Sequence, residues 1–98
     1  MPASSEQDGT RVITHVVTLA GDLHARPAGQ LAVAAAKVGS EVTLTVGDRT
    51  VSAKSVLAVM GLGATSGQQV TVTATGPDAE QAVAAVIAIL ADATAVGG

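Results

Sequence analysis

The stretch EVTLTVGDRTVSA, residues 41–53, decides the architecture. Apolar and polar residues alternate through its first half, so Val42, Leu44 and Val46 fall on one face of an extended chain. Gly47-Asp48 follows, a pair suited to a two-residue reverse turn. The chain then returns as a short strand over 49–53. Two strands joined this tightly are antiparallel, and they anchor an antiparallel sheet.

Working outward, VITHVVTL (12–19) is rich in β-branched residues and predicts a strand. Gly21-Asp22 ends it. Pro27 then sits in a first helical turn, where a missing N–H costs nothing. Ala28, Leu31, Ala35 and Val38 recur at helical spacing, which predicts a helix over 25–38 stopped by Gly39. Beyond the hairpin, Ser55 is placed to cap a short helix over 56–60. Gly61, Gly63 and Gly67 mark a loop. QVTVTAT (69–75) alternates again, with Val70 and Val72 inward. After Gly76-Pro77, Asp78 with Gln81 resembles a capping box, and Ala79, Val83, Val86 and Leu90 form a helical stripe.

The order is βαββαβα. Four strands and three helices in 98 residues leave no material for a second helical layer. The expected fold is α+β, a four-stranded antiparallel sheet with three helices on one face. The other face should carry the Thr and Ser side chains of the alternating strands. Residues 1–10 are expected to be a flexible N-terminal tail, 11–93 the domain, and 94–98 a frayed end.

Composition narrows the function. Hydrophobic residues make up 48% of the chain, which excludes a disordered protein. Aromatic residues are absent, so bases cannot be stacked. The formal net charge is −3 with no basic stripe, which argues against nucleic acid. Without cysteine there is no disulfide, thiol nucleophile or thiolate metal site. The polar start, MPASSEQDGTR, has no secretory character, and no apolar run predicts membrane insertion. A cytoplasmic domain that needs no cofactor is the simplest expectation.

Reactive groups are few. Of the two histidines, His15 lies inside the first strand and reads as a surface residue of the sheet. His24 stands at a strand-to-helix junction in GDLHARPAG (21–29), with Arg26 in the first turn. The first N–H groups of a helix have no internal partner, and the helix dipole concentrates positive charge there. Such a terminus binds anions. Arg26 adds donors matched to phosphate. A neutral imidazole at this place is a nucleophile, and the positive surroundings hold a phosphoryl group once attached. Spacing alone leaves a second reading open, with His24 as a simple N-cap and Arg26 solvated. A zinc site has too few ligands, and no Ser-His-acid arrangement can be argued from sequence.

LHARPA (23–28) resembles the active-site signature of HPr, the histidine-containing phosphocarrier of the bacterial phosphoenolpyruvate:sugar phosphotransferase system. AKSVLAVMGLG (53–63) resembles the lysine–serine–aliphatic segment of the same family. His24 and Ser55 lie 31 positions apart, in the family's register. The resemblance covers about 12–90 and implies an open-faced β-sandwich. It implies that His24 accepts a phosphoryl group from enzyme I, itself charged from phosphoenolpyruvate, and passes it to sugar-specific IIA components. Arg26 would hold the phosphate, and Ala25, Pro27 and Ala28 would form the helix start that faces it. Ser55 matches a regulatory serine, the target of HPr kinase/phosphorylase where that enzyme exists. Gly29, Gln30, Val56, Leu57, Met60 and Leu62 match the partner surface.

A carrier of this kind is not an enzyme by itself, and the family is monomeric. Other routes fit the same residues: a dihydroxyacetone kinase or nitrogen-related phosphotransfer system, or an adaptor that binds a transcriptional regulator through the Ser55 helix. One residue departs from the family. Asp22 stands where glycine usually precedes the Leu-His pair. It is expected to need an unusual backbone angle, and its charge to weaken transfer or shift partner choice.

Overall fold

The structure, a computed structural model, describes residues 11–95. Its elements are β1 (Arg11–Thr18), α1 (Ala25–Ala36), β2 (Glu41–Val46), β3 (Arg49–Ser52), α2 (Val56–Gly61), β4 (Gln69–Gly76) and α3 (Ala79–Ala95). The βαββαβα order is the one the sequence predicts. The expected tail at 1–10 and the last residues, 96–98, lie outside the described residues.

The hairpin pairs Val46 with Arg49, so Gly47 and Asp48 alone make the turn. Gly47 has φ 64°, while no described residue other than glycine has positive φ. A positive angle at the first turn position only is the type II′ arrangement, whose twist suits the flanking strands. The full sheet has the order β1-β4-β2-β3, antiparallel throughout. β4 thus lies between β1 and β2, with Val72 opposite both His15 and Leu44.

The three helices cover one face of this sheet, an open-faced β-sandwich. Val42 and Leu44 of β2 and Val70, Val72 and Ala74 of β4 are buried there. They pack with Leu31 and Ala35 of α1, Val59 of α2, and Val83, Val86 and Leu90 of α3. The predicted helical stripes are therefore the core-facing ones. With no aromatic ring to fill space, Val, Leu and Ala side chains must interdigitate closely. The uncovered face carries the threonines: the Thr45 and Thr50 hydroxyls lie 2.8 Å apart, and those of Thr14 and Thr73 3.4 Å. His15 lies exposed on the edge strand β1.

Element ends move by a residue or two from the sequence reading, most at the end of α1. α1 stops at Ala36 rather than 38 because the Gly39 N–H leaves the helix to donate to Asp78 Oδ2 at 2.9 Å. The Ser40 hydroxyl also donates to the Asp78 carboxylate. Asp78 therefore does not form the expected capping box with Gln81. Its carboxylate ties the start of α3 to the turn after α1. α3 itself runs past 90 to Ala95.

Candidate functional site

The β1–α1 loop delivers His24 to the α1 N-terminus. Leu23 on its near side is buried, as are Pro27 and Ala28 on its far side, while His24, Ala25 and Arg26 are exposed. A polar step between apolar anchors is thus pinned at both ends and open to solvent.

His24 is the N-cap residue, with extended backbone at φ −85° and ψ −179°. Its C=O accepts the Ala28 N–H at 3.1 Å, which starts the helix. Its side chain makes no capping bond, so the imidazole is free. Pro27, the third helical residue, has no N–H. The unpaired donors at this terminus are therefore the N–H groups of Ala25 and Arg26, beside the imidazole. With no acidic residue in the first turn, the positive end of the helix dipole stays uncompensated on α1 itself. The arrangement offers an exposed imidazole beside two backbone donors, while Arg26, exposed in the same turn, lines the groove between α1 and α3 with Gly29, Val33, Ala88 and Ile89.

The loop behind His24 is laced to the loop between α2 and β4. The Leu23 N–H donates to Ala64 C=O at 3.0 Å, Leu19 N–H to Gln68 C=O at 2.9 Å, and Gly67 N–H to Leu19 C=O at 2.8 Å. Ser66 N–H donates to Asp22 Oδ1 at 2.9 Å, and the Ser66 hydroxyl to Ala20 C=O at 3.1 Å. The expected backbone strain at Asp22 is absent, because its φ is negative like that of every described non-glycine residue. Sequence reasoning missed Ser66 entirely. It lies 44 positions from Asp22, and no local pattern joins the two.

Ser55 caps α2, as predicted: its hydroxyl accepts the Ala58 N–H at 3.2 Å and is itself exposed. The candidate partner surface divides. Leu57 is 82% exposed and Met60 41%, with Gln30 also outside. Leu62 is only 8% exposed and belongs to the core, which corrects its assignment to the surface. The α2 C-terminus turns back on itself there, with the Leu62 N–H donating to Val59 C=O, and so carries Leu62 inward. Val56 and Gly29 are half-buried, Val56 packing against the core. Among the described residues no group of three or more metal-ligating side chains comes together. No helix among them is long and apolar enough to cross a membrane.

Known proteins share this fold. The family model described as "PTS HPr component phosphorylation site" matches residues 12–92. The phosphocarrier protein HPr of Mycoplasma capricolum is 34% identical over 83 residues, covering 85% of this chain and 93% of the relative. The crystal structure of an HPr from Bacillus anthracis superposes with a TM-score of 0.75 at 30% identity, covering 81% of this chain and 96% of that one. A mycoplasma histidine-containing phosphocarrier structure gives 0.75 at 32% identity, covering 90% and 100%. The chain belongs to the HPr family, the phosphocarrier proteins of the phosphotransferase system.

Proposed function

We propose that His24 is the residue that carries the phosphoryl group, taking it from enzyme I and giving it to sugar-specific IIA components. The observation that supports this most is the free, exposed imidazole at the N-cap of α1, next to the unpaired N–H groups of Ala25 and Arg26. A ring nitrogen with a free lone pair attacks phosphorus. The new N–P bond forms as the donor's bond to phosphorus breaks, and that electron pair leaves with the donor. The phosphoryl oxygens then meet the two N–H groups and the Arg26 guanidinium. Donation to a IIA component is the same step reversed in direction. The protein acts as a covalent carrier and turns over nothing alone. It works in the cytoplasm, where its phosphoenolpyruvate-fed donor resides.

Leu57, Met60 and Gln30 form the contact surface for both partners. Exposed apolar residues beside a polar rim suit a transient interface. Ser55 is a second, regulatory phosphorylation site: its hydroxyl is exposed, and a phosphate there adds a charge of about −1.5 to −2 next to that surface.

The test is intact-mass spectrometry after incubation with phosphoenolpyruvate and enzyme I. An acid-labile gain of one phosphate is expected, absent in His24→Ala. A well-folded protein that gains nothing from an active enzyme I is an adaptor or belongs to another route.

A further inference from the structure

We infer that Asp22 is a positioning residue for His24, acting through a clasp with Ser66. The inference rests on the phosphoryl-carrier reading of His24 and adds to it a residue that holds the acceptor in place.

Asp22 is engaged at both ends. Its carboxylate accepts the Ser66 N–H at 2.9 Å, and its backbone C=O accepts the His24 N–H at 3.1 Å. Ser66 in turn grips Ala20 through its hydroxyl. The loop segment 20–22 lies between two backbone anchors, Leu19 and Leu23. Inside that span, the bonds to the neighbouring loop are those of Ser66 to Asp22 and Ala20. Releasing the carboxylate frees the peptide that orients the His24 N–H. The His24 C=O, which starts α1, then loses its fixed direction as well. A glycine at this position supplies no side-chain acceptor, so the clasp belongs to chains with an acceptor there.

The carboxylate is an acceptor from a backbone donor, which makes the role separable from its charge. Asparagine keeps an acceptor oxygen and removes the charge. Alanine removes both. Because Asp22 is exposed, neither change opens the core.

The experiment compares wild type, Asp22→Ala and Asp22→Asn in two readouts. The first is the enzyme I-dependent phosphorylation rate at neutral pH, resolved into kcat and KM. The second is the amide and imidazole NMR signals of His24 in the unphosphorylated protein. Asp22→Ala should lower kcat roughly tenfold, since small misplacement of a reacting group is costly, with little change in KM. Its His24 amide signal should move, and Asp22→Asn should restore both rate and signal. An unchanged rate and signal in Asp22→Ala would overturn the clasp. So would an asparagine variant as slow as the alanine one, because charge would then be the active property. If wild type itself takes no phosphate, the carrier reading fails. The NMR comparison then decides the clasp alone, a fixed His24 signal in Asp22→Ala rejecting it and a moved one supporting it.

Discussion

The Ser40 hydroxyl donates to the Asp78 carboxylate, and the Asp78 N–H donates back to Ser40 Oγ at 3.2 Å. This reciprocal pair joins the α1–β2 turn, at the opposite end of α1 from His24, to the start of α3. The Ser40 hydroxyl and then the Gly39 N–H stabilise the charged carboxylate, which holds the Asp78 pKa below the usual range. A carboxyl group with a depressed folded pKa contributes stability above its unfolded value. That contribution is lost as pH falls from about 4 through the folded pKa. Urea unfolding midpoints should therefore drop below pH 4 in wild type and drop less steeply in Asp78→Asn. Parallel pH profiles for the two proteins would show that Asp78 takes no part.

Gly76 lies under the same pair. Its φ is 149°, and a Cβ there would meet Ser40 Oγ at 2.6 Å and Ser40 Cα at 2.7 Å. Gly76→Ala should cost about 2 kcal/mol through backbone strain and overpacking combined. Chemical denaturation reads this directly, and a loss under half that size would mean the turn relaxes freely.

Leu57 and Leu62 make opposite predictions from neighbouring positions. Leu62→Ala removes a buried side chain and should destabilise by about 2–4 kcal/mol. Leu57→Ala, at an exposed site, should change stability by no more than about 0.5 kcal/mol. It should raise KM for enzyme I several-fold, as loss of an exposed apolar contact does. Equal KM for Leu57→Ala and wild type would remove Leu57 from the partner surface.

Ser55 has a structural role that any regulatory study must separate. Ser55→Ala deletes the acceptor for the Ala58 N–H and should cost about 1 kcal/mol. Ser55→Asp keeps an acceptor at the cap and should recover most of that in thermal unfolding. A full loss in both variants would show that the hydroxyl is not the source of the effect.

The fold was largely legible because it rests on short-range signals. The alternation of 41–46 and the Gly47-Asp48 turn needed no tertiary information. The stripes of α1 and α3 followed from spacing, and the apolar composition left only one face to cover. Long-range polar pairs were not legible. Asp78 resembled a local cap and instead bonds Gly39 and Ser40, 39 and 38 positions away. That contact, unseen in sequence, also moved the end of α1. At the site, His24 and Arg26 stood out through the helix start they share, whereas Ser66 had no motif of its own. Leu62 was misplaced because an aliphatic run does not reveal which residue turns inward at the end of a short helix.

The central claim concerns one histidine of two. Its most direct test is a peptide map, run at neutral pH to preserve phosphohistidine, after charging with phosphoenolpyruvate and enzyme I. Phosphate is expected on the peptide that contains His24 and none on the peptide that contains His15. Phosphate on His15, or on neither histidine of a folded protein, would contradict it.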